Sequence, residues 1–345
     1  MRSLFVINDV HLGAVRAGGT TQASALALRN ELLAGYARLL EQAVGCDLIV
    51  NGDLFDATNV PLYDLFAAVD ITTRWLFNNP DCVLYLPPGN HDLSKNRETF
   101  SSFDFFAHNI RLQAPDRVVI PRDATYIEQH DAWVVPHMPN QDLFELELSK
   151  TSKSRYLFLH CNYDNGFATK SDHSLNLSRQ QASTLLAQWI IIGHEHQRKI
   201  DGNVVIVGNQ LPSSVADCLG NDYKFALRLD PGFEWVETWD SSWNFSRLDW
   251  RELATVEKTS TDFVRVEGNA TAEDAAAVIS IIAKFRQKST SFVITNAVEI
   301  EGISTEEMAV SLEQIQSFNV LGELLNFLSP EQRTVVQQLL EKSRV

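Results

Sequence analysis

Short apolar segments that end abruptly in polar side chains dominate the first two thirds of the sequence. In the clearest case, the run Asp47–Val50 leads through Gly52 into Asp53. A continuous apolar run is typical of a strand buried on both faces, and ligands bind beyond the carboxyl ends of strands in α/β sheets. Four further apolar runs each lead into residues that can bind a metal ion: Leu4–Asn8 into Asp9 and His11, Cys82–Leu86 into Asn90 and His91, Tyr156–Leu159 into His160, and Trp189–Ile192 into His194 and His196. The repetition predicts that five strands share one edge of one sheet and build a single site there.

Amphipathic segments lie between these strands. Apolar residues recur at helical spacing from Ser24 to Val44 and again from Tyr63 to Phe77. This strand–helix–strand order predicts an α/β fold with right-handed crossovers. Short strand-like runs in residues 117–136 and 203–230 predict a second sheet that packs on the first.

The ligand-type residues stop at about residue 252. Strand-like runs flank a helix that begins at the capping-box-like pair Thr271 and Asp274, which predicts a small α+β capping domain. The segment after it is helical and apolar on one face, and it either packs on its own domain or docks a partner helix. We therefore expect three parts: a main domain at residues 1–252, the capping domain at 253–303 and a helical tail at 304–345.

Composition narrows the class of protein. The chain of 345 residues is 45% hydrophobic and 21% charged, as in soluble globular proteins. Because no apolar run approaches the roughly 20 residues of a membrane helix and the N-terminus leads straight into a strand, we expect neither membrane contact nor a signal peptide. Four scattered cysteines without a CxxC pair favour the reducing cytoplasm. The net charge of −15 argues against a tight electrostatic nucleic-acid binder, although bound cations would attract phosphate locally.

The candidate ligands are suited to divalent cations. Oxygen and imidazole donors favour Mn²⁺, Mg²⁺, Fe or Zn²⁺ over a thiolate-held structural zinc. The seven candidate ligands are more than one tetrahedral site can use. Their number suits two ions about 3.5–4 Å apart, with Asp53 as the bridging carboxylate. Such a pair activates a water for in-line attack on a phosphoryl group, and His91 is the predicted general acid or transition-state stabiliser. Asp56 or Asp92 is placed to orient His91 or a ligand histidine, and His137 follows a strand in a position to line the cleft. The predicted ligands are Asp9, His11, Asp53, Asn90, His160, His194 and His196.

Taken together and in this order, the motifs resemble those of the calcineurin-like metallophosphoesterases. The segments concerned are Asp9–His11, Gly52–Asp53, Gly89–Asp92, His160 and Gly193–His196. The resemblance covers roughly residues 1–230 and implies a four-layer α/β/β/α sandwich of two mixed sheets flanked by helices. It also implies how the ligands divide: one metal is held by Asp9, His11, Asp53 and His196, and the other by Asp53, Asn90, His160 and His194.

Within that family, two segments resemble the SbcD-like DNA exonucleases, which are the nuclease subunits of SMC-like ATPase repair complexes. They are Asn51–Asp56 and the loop Val207–Ser214 that follows the last ligand pair. The predicted order of sandwich, capping module and apolar helical tail is also similar to the domain order of these nucleases. The chain is similar in length to their shorter forms, the bacteriophage-encoded recombination endonuclease subunits. The resemblance implies a DNA substrate and a role in the repair, recombination or replication of DNA. It also implies two divalent ions, of which Mn²⁺ is the first choice, and an SMC-like ATPase docked on the C-terminal helices. A homodimer is compatible with this resemblance. The expected location is the cytoplasm or, for a bacteriophage protein, the host cytoplasm.

Two other functions stay open at this point. A phosphodiesterase or phosphatase for nucleotides or other small phosphoesters would use the same site chemistry behind a different cleft. A non-catalytic interaction module would keep the fold and lose the metals, which the intact ligand set argues against.

Overall fold

In a computed structural model, the described residues are 2–16, 21–94, 99–165, 175–219, 223–230, 232–238, 244–256 and 261–301. The chain divides into two compact units. The first comprises Met1–Glu267 with Ile281–Ala297, and the second comprises Gly268–Ser280 with Val298–Val345. Every predicted site residue belongs to the first unit.

The first sheet of this unit has six strands. Four are parallel: β1 (Leu4–Ile7), β2 (Asp47–Val50), β3 (Leu84–Tyr85) and β4 (Val118–Val119). The second sheet also has six strands: β5 (Thr125–Ile127), β6 (Ala132–Val135), β7 (Ser154–His160), β10 (Ala187–Gly193), β11 (Lys199–Asp201) and β12 (Val204–Ile206). A separate two-stranded ladder joins β8 (Asn162–Tyr163) to β9 (Asn176–Leu177). The antiparallel pair β13 (Phe225–Leu229) and β14 (Phe233–Glu237) completes the first sheet beside β1.

The strand orders are β14-β13-β1-β2-β3-β4 in the first sheet and β11-β12-β10-β7-β6-β5 in the second. In the second sheet, β6, β7, β10 and β12 run parallel, whereas β5 and β11 pair antiparallel at its two edges. The prediction that all five ligand-bearing strands lie in one sheet is therefore wrong, because β7 and β10 belong to the second sheet. The apolar runs look alike in sequence since strands of both sheets are buried on both faces.

The described residues form six α-helices: α1 (Gln22–Gln42), α2 (Leu62–Asn78), α3 (Ser102–Gln113), α4 (Gln141–Ser149), α5 (Arg179–Thr184) and α6 (Ala275–Lys288). The first two match the predicted amphipathic segments within two residues at each end. Capping boxes fix the starts of α1 and α3, since the hydroxyls of Thr21 and Ser101 accept from the third backbone N–H of each helix. In the second unit, Thr271 and Asp274 make the reciprocal contacts that the sequence predicts before α6.

Alternation along the strands separates three apolar layers. In β2, Leu48 and Val50 pack in the cluster that contains α1, α2 and α3, whereas Ile49 packs in the cluster between the sheets. In β10, Ile191 shares that middle cluster, and Ile190 packs outward in the cluster that contains α4 and α5. Each fully buried Ile or Leu contributes roughly 1.5–3 kcal/mol by removal from water. The order of layers is helix, sheet, sheet, helix, so the predicted four-layer α/β/β/α sandwich is confirmed.

The remaining described strands follow the sandwich in sequence. β15 (Phe245–Asp249), β16 (Phe263–Glu267) and β18 (Val293–Asn296) form a parallel three-stranded sheet, and β17 (Asn269–Ala270) pairs with β19 (Glu299–Ile300). The predicted capping segment thus contains strands and a helix, while its boundaries at residues 252 and 303 stay predictions. The predicted helical tail at 304–345 lies outside the described residues. Within the described ranges, no helix combines the length and apolarity needed to cross a bilayer.

Candidate metal centre

Strand ends from both sheets meet at one edge of the sandwich. The loops after β1, β2 and β3 supply Asp9, His11, Asp53 and Asn90, and the ends of β7 and β10 supply His160, His194 and His196. Backbone hydrogen bonds join the first two loops, since the N–H of Asp9 donates to Gly52 O at 3.1 Å and that of His11 to Asp53 O at 3.1 Å. The side chains of Asp9, Asp53 and His160 are at most 1% exposed. The seven predicted ligands form one cluster, in which Asn90, His194 and His196 are partly exposed.

Two glycines allow this close approach. A Cβ atom on Gly52 would lie 2.0 Å from Nδ1 of His160, and one on Gly89 would lie 2.1 Å from Oδ1 of Asp53. Gly52 also has a φ of +87°, which side-chain-bearing residues rarely adopt. A side chain at either position would collide with a predicted ligand, so both positions require glycine.

The backbone at the site is unusual. Asp9, His11, Asp53 and His194 have φ values of 51°, 53°, 49° and 90°, all in the positive region that residues other than glycine avoid. Such conformations cost about 1–3 kcal/mol each and persist where the surrounding structure enforces them, often at functional sites. All four of these strained residues are predicted metal ligands.

The side chain of Asn90 lies at the centre of one half of the cluster. Its Oδ1 atom is 3.1 Å from Nε2 of His160 and 2.9 Å from Nδ1 of His194. The same Nε2 atom of His160 lies 3.3 Å from Oδ2 of Asp53. Nδ1 of His160 lies 2.9 Å from the carbonyl oxygen of Asn51, which fixes Nε2 as the nitrogen that faces the cluster.

The other half pairs two histidines. Nε2 of His11 and Nε2 of His196 are 3.0 Å apart. Behind them, Nδ1 of His11 lies 3.3 Å from Oδ1 of Asp56, and Nδ1 of His196 lies 2.6 Å from Oδ1 of Asp217. Asp217 is thus hydrogen-bonded to the outer nitrogen of His196, whereas Asp56 lies at ion-pair distance from the outer nitrogen of His11. In both cases the inner nitrogen faces the cluster and can bind a cation, an arrangement typical of metal-binding histidines.

These donors fit divalent metal ions. Three groups have ligand atoms that all lie within 4.8 Å of one another: Asp9 with His11 and His196, His11 with Asp53 and His91, and Asp53 with His160 and His194. The buried Oδ2 atom of Asp53 has no hydrogen-bond partner among the described residues, as expected of an oxygen that serves a cation. The first and third groups are subsets of the two metal positions that the family resemblance implies. The division of ligands between two ions stays a prediction.

Charges in the cluster shift several pKa values. Burial disfavours the charged imidazole of His11, but the contact with Asp56 and the charges of Asp53 and Asp9 outweigh it and raise the pKa of His11 to about 9. Burial also disfavours the charged imidazole of His160, but the charge of Asp53 outweighs the effect of burial and raises the pKa of His160 to about 9. At His194, burial and the nearby His160 lower the pKa to about 4. The carboxylate of Asp53 is buried, yet its histidine neighbours hold its pKa far below the ordinary value.

His91 lies at the edge of the cluster and is partly exposed. Its backbone N–H donates to Oδ1 of Asp53 at 2.9 Å, and its Nδ1 atom lies 2.6 Å from the carbonyl oxygen of Asp56. The carbonyl can only accept, so Nδ1 carries a proton and Nε2 is the nitrogen left for a substrate. Asp56 therefore orients His91 through its backbone and contacts His11 through its side chain.

Asp92 has a structural role that the sequence did not distinguish. Its carboxylate accepts from the backbone N–H groups of Gly89, Leu54 and Phe55 at 3.0–3.3 Å. It thereby ties the loop after β3 to the loop after β2 rather than orienting a histidine. Burial, reinforced by the charge of Asp53, raises the pKa of Asp92 to about 6.

Asp217 is the functional residue that the sequence reasoning missed. It lies in a 3-10 turn (Ala216–Cys218), is buried, and accepts from the backbone N–H groups of Ser213 and Ser214 as well as from His196. These contacts hold the pKa of Asp217 far below the ordinary value despite its burial. The only available signal was its position just after the Val207–Ser214 loop.

Other residues weighed in the sequence fall outside the ligand set. His137 is buried with its ring 6.2 Å from that of His160, so it lines the site, and burial lowers its pKa to about 3. Glu195 turns away from the cluster and accepts from the N–H of Tyr163 at 2.6 Å. His130 is a buried partner of Asp47 at the start of β2, away from the cluster, His108 is exposed, and Cys161 is a buried free thiol.

The two-sheet sandwich, with aspartates and histidines gathered at one strand edge, fits a metal-dependent hydrolase. Residues 3–198 match the family described as calcineurin-like phosphoesterase. The chain belongs to this family and is thus a metal-dependent phosphoester hydrolase that uses divalent ions. A search of curated proteins finds no match to the chain.

Solved structures with a similar arrangement include a novel archaeal phosphodiesterase, with 11% sequence identity and a TM-score of 0.34 over 68% of this chain and 99% of that one. A cold-active protein-tyrosine phosphatase from the psychrophile Shewanella sp. is similar at 12% identity and a TM-score of 0.34, over 69% of this chain and 78% of the phosphatase. At such scores neither adds to the functional argument.

Proposed function

We propose that the chain is a DNA nuclease subunit that hydrolyses phosphodiester bonds with a water activated by two divalent ions. The observation that carries the proposal is that the two segments resembling SbcD-like nucleases adjoin the same metal centre. Arg16 bridges them, because its guanidinium donates to both oxygens of Asp56 at 3.0 and 2.9 Å and to Oγ of Ser213 at 2.6 Å. From these segments, Asp53 enters the cluster and the Ser213 loop holds Asp217 behind His196.

The chemistry follows from the donor set. Two divalent ions held by these residues would polarise a phosphoryl group and lower the pKa of a bound water to near neutrality. Asp53 would serve both ions. This is supported by the different neighbours of its two oxygens: Oδ1 accepts from the N–H of His91, and Oδ2 lies beside His160. Mn²⁺ is the ion we propose first, since carboxylate, amide and imidazole donors suit it.

His91 is the proposed general acid. Its Nδ1–H is held by the carbonyl of Asp56, so the imidazolium form presents Nε2–H to the departing oxygen. Transfer of that proton to the leaving alkoxide neutralises the charge that develops when the P–O bond breaks, and the neutral imidazole is left behind.

A direct comparison of substrates tests the proposed function. End-labelled linear DNA is incubated with the Mn²⁺-loaded enzyme, beside cyclic nucleotides and bis(p-nitrophenyl) phosphate. We expect DNA to be shortened or cut, and Asp53→Ala to lose both this activity and metal binding at both positions. The exposed His108→Ala variant is the matched control and should behave as wild type. Turnover of the small esters with intact DNA would favour the phosphodiesterase or phosphatase alternative.

We further propose that an SMC-like ATPase docks on residues 304–345, the segment for which the sequence predicts a helical tail. The support is the apolar pattern of the sequence and the similar domain order of SbcD-like nucleases. Deleting residues 304–345 should spare hydrolysis of the small diester and abolish capture of the purified ATPase partner. An ATPase that binds the shortened chain as tightly as the full chain would contradict this.

A further inference from the structure

A cavity of about 540 Å³ opens beside the loop that carries Asp217. Three arginines line it, Arg16, Arg265 and Arg286, and its other polar lining includes Ser214, Thr295 and Asn296. Among the residues that the structure describes, no aspartate or glutamate lines this cavity. Such a lining is unusual in a chain with a net charge of −15 and indicates an anionic ligand.

The cavity adjoins the metal centre. Arg16 contacts Asp56, whose carboxylate lies 3.3 Å from Nδ1 of His11. On the same wall, the backbone N–H of Ser214 donates to Asp217, the partner of His196. Two successive contacts therefore link each of these lining residues to a predicted ligand: Arg16 through Asp56 to His11, and Ser214 through Asp217 to His196.

Carboxylates do not neutralise the charges of the three arginines equally. Arg16 pairs with Asp56 at 2.9 Å and Arg265 with Glu267 at 2.6 Å. Arg286 donates to the carbonyl oxygen of Ile294 at 2.9 Å, and no carboxylate in the described ranges lies within ion-pair distance of it. Among the described residues, its buried Nε atom has no hydrogen-bond partner, and burial lowers the pKa of its guanidinium. Its positive charge and spare donors suit phosphate oxygens, which guanidinium groups bind in a forked geometry.

We propose that this cavity binds a backbone phosphate of a nucleic-acid strand, flanking the phosphate cleaved at the metal centre, with Arg286 as the principal contact. The inference rests on the proposed nuclease function. It explains how an acidic chain can hold a polyanion, since one local excess of positive charge lies next to the cations of the centre.

Binding of a labelled strand tests the assignment. The probe is a fluorescein-labelled single-stranded 12-mer with phosphorothioate linkages, measured by anisotropy with the full-length Mn²⁺-loaded enzyme at several salt concentrations. Arg286→Gln should weaken Kd by about ten-fold, the usual size for a hydrogen bond to a charged group. It should also reduce the slope of log Kd against log salt by about 0.7, the value for one phosphate contact on a single strand. Hydrolysis of bis(p-nitrophenyl) phosphate should stay within about two-fold of wild type, because that substrate has no flanking phosphate.

Two further variants complete the design. Arg286→Lys keeps the charge and should retain the salt slope, and Arg74→Gln on α2, whose side chain is exposed and paired with Asp70, should leave both quantities unchanged. Melting temperatures confirm that each variant is folded. Unchanged Kd and salt slope in Arg286→Gln would overturn the inference, as would an equal loss of small-diester turnover in both Arg286 variants.

The same experiment separates the two proposals. If the wild-type enzyme cleaves DNA while Arg286→Gln binds the strand as tightly as wild type, the cavity assignment alone is wrong. If the wild-type enzyme hydrolyses the small diester but neither binds nor cleaves DNA, the proposed nuclease function fails and the cavity assignment fails with it.

Discussion

At the scale of single residues, the outer hydrogen bonds of the histidines decide how the centre can work. Nδ1 of His160, His91 and His196 each lies within 2.6–2.9 Å of an oxygen acceptor, so their Nε2 atoms are free for a cation or a substrate. The acceptors are two backbone carbonyls and one carboxylate. A carboxylate behind a histidine makes that histidine a stronger ligand, which singles out the dyad of His196 and Asp217.

This dyad gives the first prediction. Asp217→Asn keeps the size of the side chain but removes the negative charge that supports His196. We expect metal affinity, measured by calorimetry with Mn²⁺, to fall by about 10–100-fold, as is usual when an outer partner of a ligand is lost. As the control, Asp201→Asn alters an aspartate that pairs with Arg179 on another part of the surface. Equal affinities in the two variants would rule out this role for Asp217.

A second residue-scale prediction concerns His91. His91→Ala should leave the bound metal content unchanged and lower turnover of the small diester by roughly 10²–10⁴-fold, the usual contribution of acid–base assistance. Metal content is measured by plasma mass spectrometry and turnover at saturating substrate. Wild-type turnover in this variant would remove His91 from the mechanism, and loss of metal would make it a ligand instead.

At the scale of secondary-structure elements, the tight turn after β2 is the most constrained part of the centre. Gly52→Ala would place a methyl group 2.0 Å from Nδ1 of His160, so the ring must move. We expect a loss of about 1–3 kcal/mol from overpacking in addition to about 1 kcal/mol from the left-handed backbone. Displacing His160 by about 1 Å should also lower turnover by about 10²-fold.

A matched control for Gly52 lies in the turn between β11 and β12. Gly202 has a φ of +62° and open space around its Cα atom. Gly202→Ala should therefore lose only the backbone contribution of about 1 kcal/mol and keep full activity. Urea denaturation and small-diester turnover measure both effects, and equal losses in the two variants would show that contact with His160 is unimportant.

The elements also show where prediction from sequence works. Strand ends such as those before Asp53 and His194 were predictable, because an apolar run and its polar terminus are local features of the chain. Which sheet each strand joins was not predictable, since β7 and β10 look like β1 and β2 and pairing depends on distant contacts. Asp217 was missed because a short 3-10 turn has no periodicity. The arginine cavity was missed because Arg16 lies more than 200 residues from Arg265 and Arg286 in the sequence.

At the scale of the whole molecule, a second buried polar network lies at the opposite ends of the strands. Oδ2 of Asp47, at the start of β2, is 2.9 Å from Nε2 of His130, and Asp230 pairs with Arg155 at the start of β7. Asp47, His130 and Asp230 are at most 3% exposed. This network joins the two sheets at the edge away from the metal centre.

The network predicts part of the acid sensitivity of the fold. Burial alone would raise the pKa of Asp47, but the hydrogen bonds from His130 and the N–H of Val83 outweigh it and lower the pKa below its ordinary value of 3.8. The unfolded chain therefore binds the proton more tightly, so this contribution to stability is full above pH 3.8 and is lost as the pH falls toward the native pKa. Asp47→Asn should lower the free energy of unfolding at pH 7 and flatten its decline below pH 4. Urea denaturation of metal-free protein across that range checks this, and parallel curves for the two proteins would refute it.

The centre takes its donors from both sheets, so cations held there cross-link the sandwich at one end while Asp47 and its partners join it at the other. Chelation should consequently loosen one end only. We expect amide hydrogen exchange to accelerate around residues 8–12, 51–56 and 193–196, while the amides near Asp47 and His130 remain protected. In such an enzyme, metal binding makes the active edge of the sandwich rigid, whereas the opposite edge stays rigid with or without metal.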